Sequence, residues 1–148
     1  MLKIAVTACL CFAPVAALAK PVTYECQVNG KFGRGWISDK ARYLIDEEAG
    51  TATAYDGLIQ FMDKKPRKVA LKKRTLGGYV LTWRVVDAPA IRYMRGPGST
   101  SRDGEETKAH PEYRVVLDGG NETATVRVHV ELHPMQFLRG KGRCKVSR

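Results

Sequence analysis

No apolar run in this chain of 148 residues is long enough to span a bilayer comfortably. The longest, Ile4 to Ala17, is interrupted by Pro14, and no arginine- or lysine-rich stop follows it, which argues against a retained anchor. Catalytic signatures are equally scarce. There is no Gly-x-Ser-x-Gly elbow, no phosphate-binding glycine loop and no helical zinc motif, so the sequence offers no catalytic residues and no cofactor site. Sustained helical periodicity is missing too. The best helical candidate, Asp39 to Glu48, has a Tyr-Leu-Ile centre and runs into a threonine-rich segment, which suits a strand better. At most one short helix is expected.

Cysteine is also rare, and the four present fall into two groups. Cys9 and Cys11 lie in an apolar N-terminal run that follows Lys3 and ends in Ala17-Leu18-Ala19, the layout of an export signal cleaved after Ala19. Lipidation at Cys9 is disfavoured because only eight residues precede it, too few for a full apolar core. Cleavage would leave residues 20–148 as one domain, with Cys26 and Cys144 near its ends. In an oxidising compartment, periplasmic or secreted, those two cysteines are expected to pair.

Period-two alternation dominates what remains. Ala124, Val126, Val128, Val130 and Leu132 share one parity, and Thr123, Thr125, Arg127, His129 and Glu131 the other, the pattern of a half-buried strand. Tyr113, Val115 and Leu117 alternate likewise, and Asp118-Gly119-Gly120-Asn121 supplies a reversal between them. Lys40–Asp46 with Thr51–Asp56, and Lys68–Arg74 with Tyr79–Val86, read as two more hairpins. Leu58 to Met62 reads as a short apolar strand, and Asp87 to Pro111 as a long loop. Strands carrying Cys26 and Cys144 complete an all-β fold: a single antiparallel barrel or sandwich of seven to nine strands, with the first and last linked by a disulfide. Closure of this kind also hides sheet edges.

Charge is the most unusual property, with a formal net charge of +10. Lys64, Lys65, Arg67, Lys68, Lys72, Lys73 and Arg74 crowd seven cations into eleven residues, and Arg139, Lys141, Arg143, Lys145 and Arg148 crowd the C-terminus. Such density would attract an anionic envelope glycolipid, a polysaccharide or an acidic protein. Nucleic acid is disfavoured, because no array of aromatics or recognised nucleic-acid motif accompanies the charge. The competing reading is a solvated surface that resists aggregation. The anionic-partner reading asks that the two basic segments, distant in sequence, meet on the folded surface. Arg92, Tyr93 and Arg95, in the segment Ile91 to Arg95, are further binding candidates from the long loop.

His129, Glu131 and His133 form a His-x-Glu-x-His pattern on the outward parity of one strand. The outer pair would stand roughly 13 Å apart, too far for a three-ligand metal site, so no metal is expected. Trp36, Trp83, Tyr43 and Tyr79 are either core or the lining of an internal pocket, which would make the chain a carrier or an enzyme instead.

Several short motifs together resemble small exported proteins of Gram-negative bacteria whose function is not established. They are Tyr24-x-Cys26, Tyr55-Asp56-Gly57-Leu58-Ile59, Thr82-Trp83 and Gly140-x-Gly142-x-Cys144. The early Tyr-x-Cys and late cysteine are also similar in layout to periplasmic lysozyme inhibitors of the small β-barrel type. The Ser-Gly-Ser-Gly segment of those inhibitors is absent, and the basic charge disfavours docking on a cationic lysozyme. The resemblance implies location and fold: a periplasmic β domain acting as a non-enzymatic binding module, or as an inhibitor of an acidic envelope protein.

Overall fold

The computed structural model describes residues 20–30, 35–93, 104–131 and 137–148. The expected export signal at 1–19, Arg95 and His133 lie outside these residues.

Strands β1 (Val22–Asn29), β2 (Lys40–Asp46) and β3 (Thr51–Asp56) lead into helix α1 (Gly57–Asp63). Strands β4 (Arg67–Lys73), β5 (Tyr79–Arg84), β6 (Ala88–Tyr93), β7 (Gly104–Ala109), β8 (Glu112–Asp118), β9 (Thr123–His129) and β10 (Leu138–Ser147) follow. Eight of them close into an antiparallel barrel in the order β1-β10-β9-β8-β5-β4-β3-β2, while β6 and β7 pair as a separate ribbon. The expected count of seven to nine is met by the barrel, and the choice between barrel and sandwich is settled by β2 pairing with β1 as well as with β3.

Alternation explains the wall. Along β1, β2, β8 and β9 every second residue is buried, which is what a sheet with one solvated face requires. Large side chains on β5 and β8 (Tyr79, Leu81, Trp83, Tyr113, Leu117) share one buried core with small ones on β2, β3 and β9 (Ala41, Ala52, Ala54, Ala124), the large-with-small mixture that suits a barrel interior. Trp83 and Tyr113, partners across β5 and β8, stack with centroids 4.8 Å apart, and Tyr43 lies 6.4 Å from Trp83. Of the aromatics proposed as a pocket lining, Tyr43 and Trp83 pack on each other, Tyr79 packs edge-on against Tyr24 and Trp36 is partly buried against the core.

Cys26 and Cys144 are direct partners across β1 and β10, and their sulfurs are bonded. Two residues away, the strands approach so closely that a Cβ on Gly142 would lie 2.0 Å from the Gln27 carbonyl oxygen. Only glycine fits this seam.

Two sequence expectations are corrected. Leu58 to Met62 is helical, not a strand, because Asp56 caps the helix by accepting a 2.9 Å hydrogen bond from the Ile59 amide, and Lys64 ends it in a left-handed conformation. Ile59, fully buried, lies on the face that also carries the half-buried Leu58 and Met62. The long loop is largely a ribbon: β6 and β7 pair from Ala88↔Ala109 to Tyr93↔Gly104. Its base is anchored where Ala88 and Ala109 enter the core and the Asp87 amide donates to His110 Nδ1. No helix among the described residues is long and apolar enough to cross a membrane.

Tight turns join the strands at one barrel end. Helix α1, the β6–β7 ribbon and the segment holding Ile37 all sit at the other.

Candidate functional site

The basic segment on β4 is partly neutralised by its own surroundings. Arg67 forms a two-point ion pair with Asp63, at 2.6 and 2.8 Å, and also donates to the Arg84 carbonyl. Lys73 reaches Glu47 at 2.8 Å, and the Tyr79 hydroxyl donates to the other oxygen of that carboxylate. These bonds, that from Lys73 first, hold the Glu47 carboxyl below its ordinary range, as the Arg67 bonds do for Asp63. Lys64, Lys65, Lys68 and Lys72 remain exposed, with Arg74 half-buried. Arg92 and Tyr93 fall on β6, opposite Glu105 and Gly104.

Along the barrel wall the two basic segments do not merge; they approach only at the end of the tight turns, where Lys73 and Arg148 both act on Glu47. In the barrel order β10 and β4 stand on opposite walls, so their charges face away from each other. The C-terminal segment finds different company. On the outward parity of three adjacent strands, Arg114 is the direct partner of Arg127, and Arg127 of Arg139. All three are exposed, and none has an ion-pair partner among the described residues. Along β10 the same face continues through Lys141, Arg143 and Lys145, every one of them exposed.

Like charges set directly opposite one another destabilise a sheet. The nearby acids are turned to Arg84: Glu112, which lines the cleft two residues before Arg114, and Glu131 lie within ion-pair distance of it, at 3.8 and 3.3 Å. A cleft of about 490 Å³ opens over this surface, lined by Arg114, Arg127, Arg139, His129 and Phe137, with the ion-paired Arg84 and Glu112 at one end and Thr82, Trp83 and Tyr113 in its floor. Phe137 is 55% exposed, and its ring centroid lies 5.3 Å from that of His129. The cleft therefore joins unpaired guanidinium groups to an accessible aromatic ring.

Two other surface depressions offer less. One, of about 740 Å³ beside α1, is bordered by Ile37, Leu58 and Phe61 and carries no cluster of like charge. The other, of about 800 Å³ over β1 to β3, is lined by charges of both signs, with Arg42 paired to Glu25 at 2.8 Å. Of the His-x-Glu-x-His pattern, His129 turns to Phe137 and Glu131 to Arg84, and no group of three metal-ligating side chains occurs among the described residues.

Arg114 and Arg127 were not singled out by charge density, because each is an isolated cation in its own strand. Pairing outward from the Asp118-to-Asn121 turn sets them opposite each other, so the signal was present in the hairpin register. Adding Arg139 required knowing that β10 lies beside β9.

No protein-family model, curated protein or solved structure matches this chain.

Proposed function

We propose that the protein is an exported, non-enzymatic binding module that recognises an anionic component of the bacterial envelope through the outer face of β8, β9 and β10. The observation that carries this reading is the row Arg114–Arg127–Arg139, three cations held in cross-strand register and without an ion-pair partner among the described residues. A solvated, aggregation-resisting surface is served equally well by interspersed charges of both signs, whereas a single-sign row lowers sheet stability and is suited to an external anion. The buried disulfide fits folding in an oxidising compartment, which supports the export reading of the N-terminus. Packing of the interior aromatics against each other disfavours a carrier or an enzyme with its pocket in the lumen. The β4 lysines are assigned to the solvated surface.

Co-sedimentation with vesicles containing phosphatidylglycerol, and with lipopolysaccharide, tests the proposal. Binding should weaken steeply as salt rises from low to physiological strength, over which the screening length shrinks to about 8 Å. Replacing Arg114, Arg127 and Arg139 by Gln should reduce binding at least tenfold, which corresponds to about 1.4 kcal/mol. Replacing Lys64, Lys65, Lys68 and Lys72 by Gln should reduce it far less. The opposite ranking would move the site to β4, and salt-independent binding would remove it.

A further inference from the structure

Resting on that reading, we infer that the cleft over the arginine row is a discrete site for a phosphomonoester whose esterified group carries a ring or apolar body. Directly opposed residues on neighbouring strands have their Cβ atoms about 5 Å apart. Two guanidinium forks rooted at that spacing converge on one tetrahedral dianion, and a third stands one strand further on. A monocarboxylate needs only one fork. The row therefore suits an anion with more oxygens and more charge, while the Glu112 carboxylate, which lines the other end of the cleft beside Arg84, repels an anion there and confines it to the row.

The rest of the lining sets what the anion is attached to. Phe137 stands exposed beside His129 at the edge of the same cleft, and an exposed aromatic face next to an oxyanion site takes a sugar ring, an aryl group or the apolar shoulder of a lipid headgroup. A cleft of about 490 Å³ holds one small residue of this kind, within the range typical of small-ligand sites. Lys141, Arg143 and Lys145, continuing along β10, add long-range attraction without forming part of the cleft.

Isothermal titration at fixed ionic strength, with phenyl phosphate, inorganic phosphate and sodium chloride as titrants, tests the inference. Phenyl phosphate should saturate one site per chain, inorganic phosphate should bind the same site about tenfold more weakly, a difference of about 1.4 kcal/mol, and chloride should give no saturable heat. Arg127→Gln should weaken both phosphates at least tenfold. Phe137→Ala should weaken phenyl phosphate about tenfold and inorganic phosphate far less, and equal weakening of the two would overturn the role of the ring in the site. Repeating the titration with a short-chain phosphatidic acid, kept monomeric, separates a lipid headgroup from a free phosphate: tighter binding than phenyl phosphate assigns the lipid. Equal heats for phosphate and chloride, or full binding by the Arg127→Gln protein, would overturn the inference. If vesicles bind but no phosphomonoester saturates, the site falls while the envelope-binding reading stands. Saturable phosphate binding without envelope binding has the reverse meaning.

Discussion

The middle arginine of the row, Arg127, is flanked on both sides by a partner of its own charge. Removing that charge takes away two unfavourable cross-strand pairs, so Arg127→Gln should raise unfolding free energy by about 0.5 kcal/mol at low salt while weakening anion binding. Urea denaturation at low and high salt reads this directly: the gain should shrink as salt screens the row. A loss of stability at both salts would mean that the guanidinium is structural. Asp63 behaves oppositely. Its carboxyl is held below the ordinary range, chiefly by hydrogen bonds from Arg67, so its contribution is present above a pH of about 4 and is lost as pH falls through the depressed folded value. Melting temperature measured against pH should show wild type above Asp63→Asn near neutrality and the two converging in acid. A constant gap across that range would contradict the assignment.

At the level of elements, Asp56 shows how a few residues bend the barrel's grammar. It is only 8% exposed and caps α1, and burial pushes its carboxyl up despite the opposing bonds from the Ile59 and Leu58 amides. A raised folded value means that stability falls as pH rises from the ordinary carboxylate range through that value. Asp56→Asn keeps a capping side chain and should abolish this decline, whereas Asp56→Ala should cost about 1 kcal/mol in chemical denaturation at neutral pH. Helix α1 was not legible beforehand because the run Leu58-Ile59-Gln60-Phe61-Met62 is too short for its period to show. The cap was visible only as an aspartate beside a glycine. The β6–β7 ribbon escaped for a different reason: Pro89 removes a backbone donor, and β7 reads Gly-Glu-Glu-Thr-Lys-Ala, with no apolar alternation to mark a strand. The three barrel hairpins were legible, since each combines a turn sequence with alternation that only a half-buried strand explains.

Across the whole molecule, closure is what turns scattered cations into a face. Strand β10 bonds to β1 on one side and β9 on the other, so the same strand carries the disulfide inward and four cations outward. The Cys26–Cys144 bond spans a sequence separation of 118 and, by the chain-entropy relation, removes about 5 kcal/mol of denatured-state freedom. Replacing both cysteines by Ala should lower the denaturation midpoint substantially, and should also weaken anion binding wherever the β1–β10 seam loosens. A double variant as stable as wild type would deny the bond its closing role. The pairing of Cys26 with Cys144 was foreseeable from the chain's ends, but the opposition of β4 and β10 was not, because it depends on barrel order that no local pattern encodes. The most direct measurement is the NMR response of the arginine side-chain Nε–Hε signals during titration with monomeric dihexanoyl phosphatidic acid. Saturable shifts confined to Arg114, Arg127 and Arg139, with Arg67 and Arg74 unmoved, are the predicted result; shifts centred on Arg67 and Arg74, or spread evenly over all the arginines, would contradict it.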